Sequence, residues 1–417
     1  MTASRLVAAA LLCAFAPVAP ADGGYPRVVE IRFADNLVTQ PAVFLREMAL
    51  GVGDPADPVL IERSRQAILD LELYRSVRIR QVPATDGVAL VVEAREKRFL
   101  LAIPRIDSSS DGDFSYGLHV RWDNLWGANH TFDARILTGT YPDDRLREEE
   151  DSARIRYTAP YVWGNHGWHA EVEYIDRLAP VPGGVFDETI RRAEFLLSHD
   201  LRDSRPRSGW ILKSGLRWDS QHAEGALAPQ SDGHATALVL GADFANVRYH
   251  VYSESGRMLS SRIELAHQGF LSSYSYRKVD ARFVERIPLA RPHHTLNLIS
   301  AAGLYSGVPR RVSEYSLGGS SMLRGYELDF IEGERYGYAA AEYLRPIFGR
   351  DWLRLLIVGE GGWTGGAITG VQSGGPYASI GAGVRIRVTY FMRLELEFGI
   401  AYPLRGGDGL QFFAGGG

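Results

Sequence analysis

Alternation of apolar and polar residues with a period of two dominates the sequence from Phe99 to the C-terminus. Successive side chains of a β-strand point to opposite faces, so in LELEFGIAY Leu394 and Leu396 share one face while Glu395 and Glu397 share the other. A soluble β-sandwich also alternates in this way, but strands this long, repeated over about 320 residues, are unusual there. The pattern favours a barrel with an apolar outer face and a charged inner face.

The N-terminus has the pattern of an export signal. Arg5 supplies a positive start, residues 6–18 form an apolar run, and residues 19–21 (Ala-Pro-Ala) are the small residues that signal peptidase prefers. We interpret residues 1–21 as a removed signal peptide. Cys13, the only cysteine, lies within it, so we expect a mature chain without disulfides or thiol chemistry.

Beyond this signal, no apolar run reaches the ~18 to 20 residues that a membrane-spanning helix needs. A chain that crosses a membrane without such helices must form a closed barrel, because every backbone polar group in lipid needs a partner. About 20 residues for each strand and its connection predict ~16 strands. We therefore predict a mainly β fold: a transmembrane antiparallel β-barrel of about 16 strands over residues 98–417, preceded by one small β-α-α-β-β periplasmic domain over residues 24–97.

The segment ahead of the barrel has a different residue pattern, with helices as well as strands. It reads as a strand (RVVEIRF, residues 27–33), a helix that begins at Pro41, a second helix with Asp57 as N-cap and Pro58 in its first turn, and two strands around the turn at residues 86–87. This order, with LELYRSVRI before the second strand and VVEAREK ending the third, resembles a single POTRA domain. The family pattern has a glycine before the asparagine that follows the first strand, where this chain has Asp35.

A POTRA domain implies a sheet edge that binds extended chains by strand addition. The resemblance therefore implies client polypeptides, or a periplasmic partner protein, at this edge. A small α/β domain that acts only as a spacer is the alternative.

Long polar connections alternate with short turns along the barrel sequence. If the N-terminal domain is periplasmic, the long connections lie outside the cell. Strand counting makes Thr295 to Leu304 the eleventh strand and Tyr336 to Pro346 the twelfth. The connection between them, residues 305–334, is then the sixth external loop.

That loop contains the stretch LGGSSMLRGYE, residues 317–327. Two glycines and two serines allow the chain to fold back sharply. The guanidinium of Arg324 can hold two carboxylates at once, Gly325 allows a close backbone approach, and Tyr326 adds a broad contact surface. An internal brace for the barrel is one interpretation, and an ordinary flexible surface loop is the other.

The stretch GGSSMLRGYE, followed by AAEYLRP and LLIVGEGGW, resembles the BamA/TamA outer-membrane assembly-factor superfamily. In that family the sixth loop folds into the lumen, and its Arg-Gly-Phe/Tyr motif docks on acidic residues of the twelfth and thirteenth strands. The resemblance implies that Arg324, Gly325 and Tyr326 form a luminal lock with Glu342 and Glu360. Glu360 stands where the family usually has aspartate, and the residue two positions before it is valine, where the family has phenylalanine or glycine.

The first and last strands of the barrel carry features that weaken pairing. The first, RFLLAIPRI, contains Pro104, which donates no ladder hydrogen bond. The last, GLQFFAGGG, is short and ends in three glycines that lower strand propensity. We predict a weak lateral seam between them, at Phe99, Leu101, Ile103, Leu410 and Phe412.

No nucleophile elbow, phosphate-binding loop or metalloprotease motif occurs in the sequence, so we expect neither an enzyme nor a cofactor. His166 and His169 do not indicate a metal site, because residues three apart on a strand point to opposite faces. The formal net charge of −4 provides no strong positive field for nucleic acid.

These observations leave two functional classes. The chain is either a factor that helps client proteins to be inserted, assembled or translocated at the Gram-negative outer membrane through its seam, or a passive pore or structural barrel. The resemblance favours the first class, and a single POTRA domain favours a specialised or accessory role within it. We expect outer-membrane lipids and unfolded or exported polypeptides as partners.

Overall fold

A computed structural model describes residues 24–35, 38–108, 114–142, 147–181, 184–201, 208–228, 232–307, 314–366, 372–407 and 409–416. The predicted signal peptide, residues 1–21, lies outside them. No helix among the described residues is long and apolar enough to span a membrane.

The N-terminal domain has the predicted β-α-α-β-β order. Its elements are β1 (Val28–Ala34), α1 (Pro41–Glu47), α2 (Pro58–Asp70), β2 (Tyr74–Ala84) and β3 (Gly87–Glu96). The sheet order is β1-β3-β2, with β1 parallel and β2 antiparallel to β3. Asp57 caps α2 by accepting a hydrogen bond from the Val59 N–H at 2.8 Å.

Both helices pack their apolar face on this sheet. Phe44 of α1 and Ile68 of α2 are fully buried against Tyr74 of β2, and the ring centroids of Phe44 and Tyr74 lie 5.2 Å apart. Such burial contributes roughly 2 kcal/mol for each large apolar side chain. The domain therefore has an apolar core, which Tyr249 and Met392 of the barrel also join.

The remaining strands form the barrel wall and one short hairpin. They are β4 (Leu100–Ser108), β5 (Phe114–Leu125), β6 (His130–Pro142), β7 (Arg147–Trp163), β8 (His166–Val181), β9 (Gly184–Asp200), β10 (Ser208–Glu224), β11 (Gly233–Tyr249), β12 (Glu254–Ala266), β13 (Tyr276–Pro288), β14 (Thr295–Gly307), β15 (Tyr315–Leu317), β16 (Ile331–Gly333), β17 (Arg335–Ile347), β18 (Arg350–Gly365), β19 (Tyr377–Val388), β20 (Leu394–Pro403) and β21 (Gln411–Gly416). All except β15 and β16 form one sheet of 16 strands that runs in chain order from β4 to β21, which confirms the predicted strand count.

The period of two separates the two faces of this wall. On β18, Ile357 and Trp363 are exposed on the outer face, whereas Arg354, Leu356 and Glu360 are buried on the inner face. The outer face is thus apolar and the lumen is charged. β14 is the eleventh strand of the wall and β17 the twelfth, as predicted. β14 extends to Gly307, so residues 305–307, which were predicted to belong to the loop between them, are part of this strand.

The N-terminal domain contacts four turns at one end of the barrel. Gln40 N–H donates to the carbonyl of Gly127 between β5 and β6, at 2.9 Å. The Arg46 guanidinium lies 3.6 Å from the ring centroid of Tyr161, at the β7–β8 turn. Further contacts reach Tyr249 before the β11–β12 turn and Arg393 in the β19–β20 turn. All these turns belong to the end opposite the loop between β14 and β17.

Candidate functional site

The loop between β14 and β17 folds back on itself over the hairpin of β15 and β16. Gly318 and Gly319 have positive φ angles of 138° and 89°. The Gly319 N–H donates to the carbonyl of Tyr326 at 3.0 Å, and the Tyr326 N–H donates to that of Leu323 at 2.9 Å. These bonds close a tight turn that presents Arg324 at its tip.

Arg324 contacts three carboxylates on the inner wall. Its Nη2 lies 2.7 Å from Oε1 of Glu342 on β17, and its Nη1 lies 3.2 Å from Oε2 of Glu360 on β18. Its Nε lies 3.3 Å from Oε1 of Glu397 on β20. The Arg324 backbone N–H also donates to Oε1 of Glu360. Because the Arg324 side chain is only 7% exposed, these charges interact with little screening by water.

Other side chains hold the carboxylates in place. Tyr338 OH donates to Glu360 Oε2 at 2.7 Å, and Ser379 Oγ donates to Glu360 Oε1 at 3.0 Å. Arg385 of β19 donates through Nη2 to Glu342 at 2.9 Å and through Nε to Glu397 at 2.7 Å. The network therefore joins the loop to four neighbouring strands, β17 to β20. A brace with this many charge-assisted bonds lowers the number of loop conformations.

Gly325 lies directly against the wall. A Cβ at this position would be 2.6 Å from the Cβ of Ser379 and 3.0 Å from the backbone N of Pro403. No side chain fits without a shift of strand β19 or β20. The glycine is therefore required by the close approach of the loop to the wall.

Tyr326 anchors the other side of the turn. Its hydroxyl lies within hydrogen-bond distance of two carbonyl oxygens, that of Ala378 at 2.9 Å and that of Arg405 at 2.7 Å. Its ring packs on Phe330 and edge-on to Tyr377, with centroid distances of 4.5 and 5.8 Å. The Arg-Gly-Tyr stretch thus supplies a cation, a close approach and an aromatic anchor, and the structure brings all five predicted lock residues together.

Solved structures of CdiB and BamA are similar in fold to this chain, and each aligns with 94% of it. CdiB from Escherichia coli aligns over 77% of its own length with a TM-score of 0.65 and 17% identity. CdiB from Acinetobacter baumannii aligns over 73% with a TM-score of 0.62 and 14% identity. BamA from Haemophilus ducreyi lacking POTRA domains 1–3 aligns over 84% with a TM-score of 0.57 and 15% identity. The chain has the fold of BamA and CdiB. No family model and no curated protein matches its sequence.

Within this BamA-like fold, the sequence prediction missed several partners of the lock. Arg385, Glu397, Tyr338 and Ser379 all contact it, yet none was predicted as a site residue. The period of two does place each of them on the inner face of its strand. Only the pairing register between neighbouring strands shows which inward residues lie at the same level along the barrel axis as Arg324.

The predicted seam residues lie at the two ends of the sixteen-stranded sheet. Leu101 and Ile103 are on β4, and Phe412 is exposed on the outer face of β21. Phe99 and Leu410 lie just outside these strands. Phe99 is buried in the core of the N-terminal domain together with Met392 of the β19–β20 turn, because its inward side chain meets the docked domain.

Proposed function

We propose that this chain is an outer-membrane protein of a Gram-negative cell that helps client proteins to be inserted, assembled or translocated through a lateral seam. One observation carries the proposal: the sheet starts at β4 and ends at β21, and these two strands form no ladder with each other in the described residues. The outer edges of two such strands offer backbone N–H and C=O groups to an incoming strand. The BamA-like fold and the braced loop support the same reading.

The last strand is suited to exchange with a client. β21 has 6 residues, and its ladder with β20 runs from Gln411 to Gly416, whereas β10 pairs along 14 residues with each of its neighbours. A short ladder is disrupted at a lower free-energy cost than a long one. On the other side of the seam, Pro104 of β4 provides no N–H for a closing ladder.

The N-terminal domain supplies a second place for an extended chain. In the order β1-β3-β2, both β1 and β2 have one edge without a partner strand in the sheet. In our proposal the domain is periplasmic, and one of these edges takes a client segment or a periplasmic partner by strand addition. The apolar outer face of the barrel contacts outer-membrane lipids, and the protein acts without catalysis or a cofactor.

A disulfide across the seam tests the proposal. Cysteine pairs between residues 100–104 of β4 and residues 411–414 of β21 would be oxidised, and the full chain would be reconstituted in liposomes. The measured quantity is the rate at which a urea-unfolded eight-stranded outer-membrane barrel folds into these liposomes. We expect the crosslink to abolish the acceleration over protein-free liposomes, and reduction to restore it.

The matched control is a disulfide between residues 212 and 242, which are direct partners in the β10–β11 ladder. It locks a closed part of the wall and should leave the rate unchanged. Full acceleration by the seam-locked barrel would exclude a lateral route. A passive pore or structural barrel would then be the better reading.

A further inference from the structure

A cavity of about 590 Å³ lies in the lumen beside the braced loop. Eight of its lining residues are basic and five are acidic, an excess of three positive charges. Ser320 and Ser321 of the loop line one side. A cavity of this size and charge suits a small anionic ligand.

Arg354 of β18 is the most unusual of these basic residues. It is 2% exposed, and its partner in the β18–β19 ladder is another inward arginine, Arg385. Its one ion pair in the described residues joins Nη2 to Oε1 of Glu395 at 3.5 Å. Its buried Nε has no hydrogen-bond partner there. A buried guanidinium that lacks a bond is costly unless a further acceptor satisfies it.

Two more arginines surround this group. Arg387 of β19 binds the same Oε1 of Glu395 through Nε at 2.6 Å, and its buried Nη1 has no hydrogen-bond partner in the described part of the chain. Nη2 of Arg387 and Nε of Arg286 lie 3.7 and 3.3 Å from the carboxylate of Glu254. Three guanidiniums thus share two carboxylates, and two of them keep a free donor.

We propose that this cavity binds a phosphate-class oxyanion, either the free ion or a small monoester, at Arg354 and Arg387. A dianion would balance two of the three excess charges and accept bonds from the free Nε and Nη1 donors. Planar guanidinium groups suit oxyanions better than spherical halides, since their N–H groups form a fork that matches two oxygens. The anion competes with Glu395 for these arginines.

Phosphorus NMR of the purified full chain in detergent tests this site. Inorganic phosphate and glycerol 3-phosphate would be titrated separately at constant ionic strength set with sodium chloride, and line broadening would report binding. A comparison of the two titrations shows whether the site prefers the free ion or the monoester. We expect saturable binding that Arg354→Gln weakens about tenfold, the effect of one charge-assisted hydrogen bond.

Glu395→Gln should bind phosphate more tightly than the wild type, because it removes the carboxylate that competes with the anion. This increase distinguishes an anion site from a purely structural role and does not depend on the stability of the Arg354 variant. Arg257→Gln is the matched control, since Arg257 also pairs with a glutamate, at 2.7 Å, but is 63% exposed and does not line the cavity. Equal affinity in the wild type, Arg354→Gln and Glu395→Gln, or no saturable broadening, would overturn the proposal.

Discussion

Arg324 illustrates at the residue scale how one side chain orders a long loop. A loop of this length loses considerable conformational entropy when it is ordered. One guanidinium with three carboxylate contacts, together with its backbone N–H, compensates part of that loss. Arg385 also pairs with Glu342 and Glu397, so among the described residues Glu360 is the carboxylate that depends on Arg324 for a positive partner.

Replacement of Arg324 should therefore release the loop. In Arg324→Gln, Glu360 keeps its bonds to Tyr338 and Ser379 but loses the cation, at a cost of about 3 kcal/mol for a broken buried pair. We expect faster proteolysis within residues 308–334 and a lower temperature of barrel unfolding in gel-shift assays. The variant Arg257→Gln, which removes an exposed pair, should change neither.

A substitution at Gly325 tests the close approach of the loop to the barrel wall without a change of charge. Gly325→Ala places a methyl group 2.6 Å from the Ser379 Cβ, and we expect a loss of about 1 to 3 kcal/mol from overpacking. The control is Gly359→Ala on β18, where an added Cβ meets no heavy atom within 4 Å. Equal unfolding temperatures for the two variants would contradict the tight contact between loop and wall.

At the scale of elements, the last strand depends on one inward side chain. Phe413 is 2% exposed and packs with Leu356 and Val358 of β18. Gly399 of β20 makes room for its ring, because a Cβ there would lie 2.3 Å from Phe413 Cζ. This packing retains β21 even though its ladder with β20 is short.

Phe413→Ala should weaken the attachment of β21 by about 3 kcal/mol, since it leaves a cavity in this cluster. Amide hydrogen exchange in residues 411–416 should become faster while the exchange of β10 stays the same. Phe412→Ala is a matched control, because Phe412 is 66% exposed on the opposite face. If both variants exchange alike, Phe413 does not hold the strand.

At the scale of the whole molecule, the N-terminal domain is joined to the barrel by buried polar contacts. Asp70 Oδ1 accepts the backbone N–H of Tyr249 at 2.7 Å, and Lys97 Nζ donates to the Tyr249 hydroxyl at 2.8 Å. Glu72 pairs with Arg393 at 3.4 Å. The interface also has an apolar part, in which Tyr249 and Met392 of the barrel pack in the core of the N-terminal domain.

Lys97 makes this interface dependent on pH. Burial lowers the pKa of Lys97 to about 8, although Glu72 and Glu254 oppose the shift, and Arg387 and Arg393 add to it. The unfolded chain keeps the proton up to the ordinary pKa of 10.5, so it binds more protons than the folded chain between pH 8 and 10.5. Stability should therefore rise across this window, by at most about 3 kcal/mol, and stay level below it.

Unfolding temperatures at pH 7.5 and 9.5 test this linkage. Lys97→Met should abolish the increase in unfolding temperature between pH 7.5 and 9.5 that Lys97 causes, because methionine has no proton to release on folding. Lys213→Met, which removes a lysine in the lumen, should preserve it. The same slope in the wild type and Lys97→Met would show that another group causes the pH dependence.

The local sequence was sufficient to predict the secondary-structure elements of this protein. Alternation with a period of two marks the outer and inner faces of strands such as β18, and Asp57 with Pro58 marks the start of α2. The strand count, the order of the small domain and the position of the loop followed from turn residues and chain length. These features depend on neighbours within a few positions, which the sequence shows directly.

The tertiary structure alone decided which of these elements meet. Arg385 and Glu397 join the lock because β19 and β20 pair in one register, and a shift by one residue would turn both side chains outward. Phe99 belongs to the core of the N-terminal domain because that domain docks on the barrel. Arg354 and Arg385 oppose each other because β18 and β19 pair in one register. The cavity beside them is lined by residues from distant parts of the chain, from Glu72 to Gly415. Contacts of this kind depend on packing energies summed over the whole fold, which no local stretch of sequence contains.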